Sequence, residues 1–292
     1  MRSKLFTMAL LLLVASQNLL AVTPLVTTDW LVNNLQQPNL RLIDLQPKSG
    51  YKLTHITGAV HSDYSQWRQR DQHGINNMIP SVATLEKLIG GLGIDNQTYV
   101  VLIPFGRSAG DIASATRVYW TLKAVGHDKV SILDGGLIGY AEYQDNPLET
   151  TINRPKAKIF KAHLQDDYLV STTQVKAAID SKTQLFDTRS VAEFSGKRGK
   201  PGRSGTIPTS ANLPFNQLIK QGGGYFKKPD QLKNIFVQHQ VSLEGEQFIY
   251  CQSGHRASLS WFVAHELLGN SQAKLYDGSM LEWTANPSLP VK

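Results

Sequence analysis

Short apolar runs alternate with segments of helical period along most of the chain. Leu42-Ile43, Val100-Val101-Leu102-Ile103 and Val130-Ser131-Ile132-Leu133 read as buried strands, as do Leu185-Phe186, Phe248-Ile249-Tyr250 and Lys274-Leu275-Tyr276. Between them, "ASATRVYWTLKAVG" and "ASLSWFVAHELLG" place apolar residues three and four apart. Both segments end in a glycine, Gly126 and Gly269, which is a helix stop signal. Strands alternating with helices predict an α/β protein whose sheets are parallel and covered by helices.

The pattern also repeats. "LVTTDWL" from Leu25 is echoed by "LVSTTQV" from Leu169, and "LRLIDLQ", with Asp44, by "TQLFDTR", with Asp187. "GHDKVSILDGGLIGY" is echoed by "GNSQAKLYDGSMLEW", and the offset is 143 or 144 residues in these segments. Two domains of one architecture follow. They are expected at 22–147 and 168–292, joined by the polar, Pro147- and Pro155-interrupted linker 148–167.

The first 21 residues do not fit this scheme. Arg2 and Lys4 precede a short apolar run from Leu5 to Ala15, and Ala21 offers a small residue for cleavage. This reads as a secretory signal peptide, with no membrane anchor after its removal and a periplasmic destination. The run is too short to span a bilayer. The formal charge is +7, or about +5 without Arg2 and Lys4. No helix-turn-helix, zinc-finger or aromatic RNA-binding pattern accompanies that charge, so no nucleic-acid partner is expected. Such a surface can equally serve anionic membranes or small anions. The densest basic run, "GKRGKPGR", holds Lys197, Arg198, Lys200 and Arg203.

Cys251 is the only cysteine of the 292 residues. Exported proteins generally use cysteines in pairs, so one thiol is either an inert core residue or kept for chemistry. Its context, "FIYCQSGHRASLSWF", places it directly after a buried strand and before a helix starting near Ala257. Open α/β sheets bind ligands at this carboxyl end. Gly254 gives the turn its backbone freedom, and a tight loop before a helix directs N–H groups inward. With His255 and Arg256 adding positive potential, the sulfur is expected to be held as a thiolate.

"CQSGHR" resembles the six-residue active-site loop of the rhodaneses, the thiosulfate sulfurtransferases, at the same strand-to-helix position. The likeness covers nearly the whole mature chain, and with the leader it implies an exported bacterial member. "HITGAV" at His55–Val60 resembles the family's H-I-P-G-A-x segment with Thr57 for proline, and "SGTIPTSANLP" is its weaker copy, with Thr206 where histidine is usual. "DGGLIGY" and "YDGSMLEW" resemble the closing segments, with Met280 where tryptophan is common. The resemblance implies a tandem pair of rhodanese-like α/β domains, only the second of them catalytic. The first, with Pro104 after its strand, is expected to close one side of the cleft.

The resemblance also implies a persulfide on Cys251, formed from a small anionic donor and discharged to cyanide or a thiol. Arg189 of "DTR" and Arg256 would neutralise the sulfonate, His255 would donate hydrogen bonds, and Gln252, Ser253 and Gly254 would complete the binding loop. Arg198 would steer the dianion. The competing reading makes Arg189 a structural ion pair and leaves Arg198 and Arg203 merely exposed. No cofactor or metal is needed, and a monomer is the expected state.

Three rivals stand beside thiosulfate. Mercaptopyruvate sulfurtransferases resemble the chain too, but their C-G-S-G loop matches only Ser253 and Gly254. Cysteine phosphatases place arginine six positions after the cysteine, and here Arg256 is five positions on. A non-enzymatic persulfide carrier would share the first half-reaction. "HELLG" from His265 lacks the second histidine of a zinc protease, "GGGYF" at Gly222 lacks a following G-K-[ST], and the eight histidines show no ligand spacing.

Overall fold

The computed structural model describes residues 22–199 and 203–292. The expected signal peptide and Lys200 lie outside the described residues. In the first half, strands β1 (Leu25–Val26), β2 (Leu40–Asp44), β3 (His55–Ile56), β4 (Val60–His61), β5 (Tyr99–Ile103), β6 (Val130–Leu133) and β7 (Leu148–Glu149) occur. They alternate with helices α1 (Thr28–Asn34), α2 (Lys48–Leu53), α3 (Val82–Gly91), α4 (Ala109–Ala124) and α5 (Gly136–Ala141). The second half carries β8 (Gln184–Asp187), β9 (Ala211–Asn212), β10 (Gln247–Tyr250) and β11 (Ala273–Leu275). Its helices are α6 (Thr172–Ala178), α7 (Val191–Phe194), α8 (Pro229–Gln238), α9 (His255–Phe262) and α10 (Ser279–Ala285).

Both sheets are parallel, as the apolar runs predict. Their orders are β1-β6-β5-β2-β4 and β11-β10-β8-β9, and Leu169 bridges Leu275 where β1 stands in the first sheet. The repeated "LVTT" and "LVST" segments have a local cause. Thr27 and Ser171 each cap the helix that follows, accepting from the N–H of Trp30 and Gln174.

The two halves are fused through their helices. On α4 and α9, Tyr119 meets Phe262 edge-on at 4.8 Å, and the Thr116 and Ser258 hydroxyls lie 3.0 Å apart. Ile112, Trp120, Trp261 and Phe262 are fully buried in one continuous apolar cluster. Burial of this kind contributes roughly 25 cal/mol per Å², so domain separation would expose a core.

The segment between the halves is also tied down. Leu148–Glu149 pairs antiparallel with His55–Ile56, the Lys158 N–H donates to Gly90, the His163 N–H donates to Val125, and Phe160 is buried. Along 150–165 it has no helix or strand, yet it is bound to the first half.

Helix α9 starts at His255, two residues earlier than the apolar spacing suggests, because Gly254 in the left-handed region serves as its N-cap. Its far end widens into a π turn over Val263–Leu267, closed by the Leu268 N–H on the Val263 carbonyl.

Candidate active site

Cys251 stands at the carboxyl end of β10, between two parallel neighbours, and is 1% exposed. The next residues turn sharply into α9. The Ser253 N–H points back at the sulfur, 3.4 Å from Sγ. Gly254 is required twice over. Its φ is +72°, and a Cβ there would run into Arg117 Nη1 and the Asp277 carbonyl.

A second segment fixes the loop from behind. The N–H groups of Cys251 and Gly254 both donate to Ser279 Oγ, each at 3.1 Å, and that hydroxyl donates to the Tyr276 carbonyl. Ser279 is wholly buried and held at φ +50°, an uncommon conformation for a residue with a side chain. The main chain continues the clamp, with the Met280 and Leu281 N–H groups donating to the carbonyls of Cys251 and Gln252.

The cations named from the sequence occupy different circumstances. Arg256 makes two 2.8 Å bonds to the two oxygens of Glu193, which also accepts from Ser190 as the capping box of α7. Those bonds hold the Glu193 carboxyl at about 2, well below its ordinary value. Arg189 is 4% exposed, bound through Nε and Nη2 to Asp187 and through Nη2 to the Gly205 carbonyl. Its charge is therefore balanced within the fold, as the competing ion-pair reading has it. Arg198 is exposed. With Arg189, Glu193, Gln252, Arg256, Met280 and Leu281, it lines an open cleft of about 800 Å³ beside the loop. Thr206, in the usual place of histidine, bonds Asp187 and the buried Tyr250 hydroxyl.

His255 differs from its expected role. It turns toward the first half, where its Nδ1 lies 2.5 Å from Tyr64 Oη and the Gly110 backbone also bonds the ring. Burial, then the nearby Arg68, Arg117 and Arg256, push its pKa down to about 3. It is a neutral strut between the halves, so Arg256 alone supplies formal charge from the loop itself. Burial pushes Tyr64 up to about 12, so the phenol keeps its proton and shares a hydrogen bond with His255 Nδ1.

The first half supplies a further lock. Arg117 of α4, fully buried, pairs with Asp277 at 2.5 Å, and the other Asp277 oxygen accepts from the Ile79 N–H at 2.7 Å. Tyr64, Arg117, Asp277 and Ser279 were not singled out from the sequence. Only Ser279 left a trace there, standing in "YDGS" where the first copy reads "LDGG".

The repeat supplies an internal comparison. Asp44 pairs with Ile103, and Asp187 with Tyr250, so Pro104 occupies the position of Cys251. Gln46 stands where Arg189 does, and the buried Asp44 carboxyl, lacking that cation, is pushed up by desolvation. The loop N–H groups of Arg107 and Ser108 are occupied by the protein's own Asp111. That loop has neither a nucleophile nor a free cradle.

Comparisons with known proteins agree with this geometry. Residues 27–143 and 171–286 each match the Rhodanese-like domain. A Mycobacterium leprae protein provisionally named a thiosulfate sulfurtransferase is 33% identical over 278 residues, covering 92% of this chain and 97% of its own. The thiosulfate sulfurtransferase of Cricetulus griseus is 32% identical over 276 residues, covering 89% and 91%. Among solved structures, the 3-mercaptopyruvate sulfotransferase SseA from Escherichia coli superposes with a TM-score of 0.77 at 29% identity, covering 88% of this chain and 99% of that one. The chain belongs to the rhodanese family, as a tandem of two rhodanese-like domains with its one thiol in the second.

Proposed function

We propose that the protein is a sulfurtransferase that takes sulfane sulfur from thiosulfate onto Cys251 and passes it to cyanide or a thiol. The observation that carries this is one cysteine at a strand end, with an N–H aimed at its sulfur and arginines on the adjoining cleft. The Cys251 thiolate attacks the outer sulfur of thiosulfate. The S–S bond of the donor breaks, its electron pair leaves with sulfite, and a persulfide anion remains on Cys251. Attack by cyanide on the outer sulfur then regenerates the thiolate and yields thiocyanate. Loop N–H groups stabilise the anionic sulfur throughout. Arg256, oriented by Glu193, lies on the donor side with Gln252, while Arg198 draws in the dianion. Relatives bearing the thiosulfate name support this donor. The alternative, 3-mercaptopyruvate, is the substrate named for the E. coli structure, and the neutral His255 removes one reason to disfavour it.

The leader-like residues 1–21 support export to the periplasm, which fractionation of cells expressing the full chain would test. For the activity, thiocyanate production is compared with thiosulfate and with mercaptopyruvate as donor. Turnover with thiosulfate that vanishes in Cys251→Ala supports the reading. Turnover with mercaptopyruvate alone replaces the donor, and transfer only to a protein acceptor makes the chain a carrier.

A further inference from the structure

Four arginines crowd the loop that carries Cys251, and three are already matched by carboxylates. Arg117 is paired with Asp277, Arg189 with Asp187 and Arg256 with Glu193. The fourth is Arg68, contributed by the first domain. Its guanidinium lies over the Tyr64 ring, 4.4 Å from the centroid, and Tyr64 in turn bonds His255 of the loop. Among the described residues no carboxylate lies within ion-pair distance of it, and its Nε is buried without a partner. Its charge reaches the loop, since it is second only to burial in keeping His255 unprotonated.

A half-buried cation without a counter-ion is unfavourable unless something anionic comes to it. The surrounding groups supply no carboxylate for this purpose, whereas an incoming sulfonate or carboxylate would. We propose that Arg68, on the domain that lacks a nucleophile, binds the anionic group of the sulfur donor and of the leaving sulfite. The inference rests on the sulfur-transfer reading and extends it, because it makes the first domain part of donor recognition rather than a cover alone. It also explains a division in the site. Arg198 is solvated and steers from a distance, while Arg68 is seated on an aromatic ring and partly desolvated, where one ionic contact is worth more.

The test uses the mature protein and the variants Arg68→Gln and Arg68→Lys, with Cys251 alkylated by iodoacetate, an anion, and by neutral iodoacetamide. The expected result is a fall of about tenfold in the iodoacetate-to-iodoacetamide rate ratio in Arg68→Gln, as for loss of one ionic contact. The ratio should be largely restored in Arg68→Lys. The KM for thiosulfate should rise by a similar factor, with kcat falling far less. An unchanged ratio would overturn the proposal. So would an equal slowing of both reagents with a lowered melting temperature, which would make Arg68 a structural support for Tyr64. If the wild-type protein takes no sulfur from thiosulfate, the choice of that donor fails, and the alkylation ratio still decides the role of Arg68.

Discussion

Removing the Ser279 hydroxyl should expose how the loop is held. In Ser279→Ala, the N–H groups of Cys251 and Gly254 lose their shared acceptor in a site with no exposure. A buried donor left without a partner costs about 1–3 kcal/mol. Allowing for some relaxation, the pair should cost about 2–4 kcal/mol, or a fall of roughly 3–7 °C in Tm for a chain of this size. Ser279→Gly loses the same hydroxyl but relieves the left-handed backbone at φ +50°, a conformation that costs a residue with a Cβ about 1–2 kcal/mol. The glycine variant should therefore be the more stable of the two, the reverse of the usual order. Gly136, the equivalent residue of the first domain, already adopts φ +60°. Both variants should slow the first half-reaction, because the backbone that cradles sulfur is no longer fixed. Thermal unfolding by circular dichroism gives the stabilities, and single-turnover mass spectrometry gives the rate of persulfide formation. A Ser279→Ala protein with wild-type Tm and rate would refute the reasoning, as would a glycine variant less stable than the alanine one.

Other expectations follow from the same contacts. Gly254→Ala should cost most of the activity, since its Cβ would press on Arg117 and Asp277 at a positive φ; wild-type turnover in this variant would contradict the loop geometry. Asp277→Asn leaves Arg117 buried beside a neutral partner and should destabilise by about 3–5 kcal/mol, read by denaturant unfolding. For His255, the native pKa of about 3 lies below the ordinary value of 6.5, so the unfolded chain binds the proton first. Its contribution to stability is complete above pH 6.5 and is lost as pH falls toward 3, with a slope approaching 1.4 kcal/mol per pH unit, about one proton's worth. Unfolding measured between pH 4 and 8 should show that decline, and His255→Gln should flatten it. Activity should show no inflection near pH 6.5 from this residue.

The fold was legible because burial imposes period. Strands buried on both faces read as apolar runs, and the helices between them kept a three-and-four spacing up to glycines that adopt φ +81° at both Gly126 and Gly269. The chemical centre was legible for a different reason, since a lone thiol between a strand and a helix has few uses. What could not be read was everything brought in from the other domain. Tyr64 and His255 are 191 residues apart, and only their contact shows that the histidine is buried, neutral and turned toward the first domain. From the sequence it passed for a cation. The pairing of Arg256 was hidden too, because nothing in the sequence marks Glu193, 63 residues away, as its partner. The start of α9 was misplaced by two residues because apolar spacing cannot register a left-handed N-cap.

The central claim is that Cys251 carries sulfur as a covalent intermediate. The most direct measurement is the intact mass of the purified protein before and after thiosulfate, and again after cyanide, beside Cys251→Ala. The account predicts a gain of one sulfur atom in the wild type, its removal by cyanide with formation of thiocyanate, and no change in the variant. A wild-type protein that gains no sulfur, or a Cys251→Ala protein that gains it equally, would contradict it.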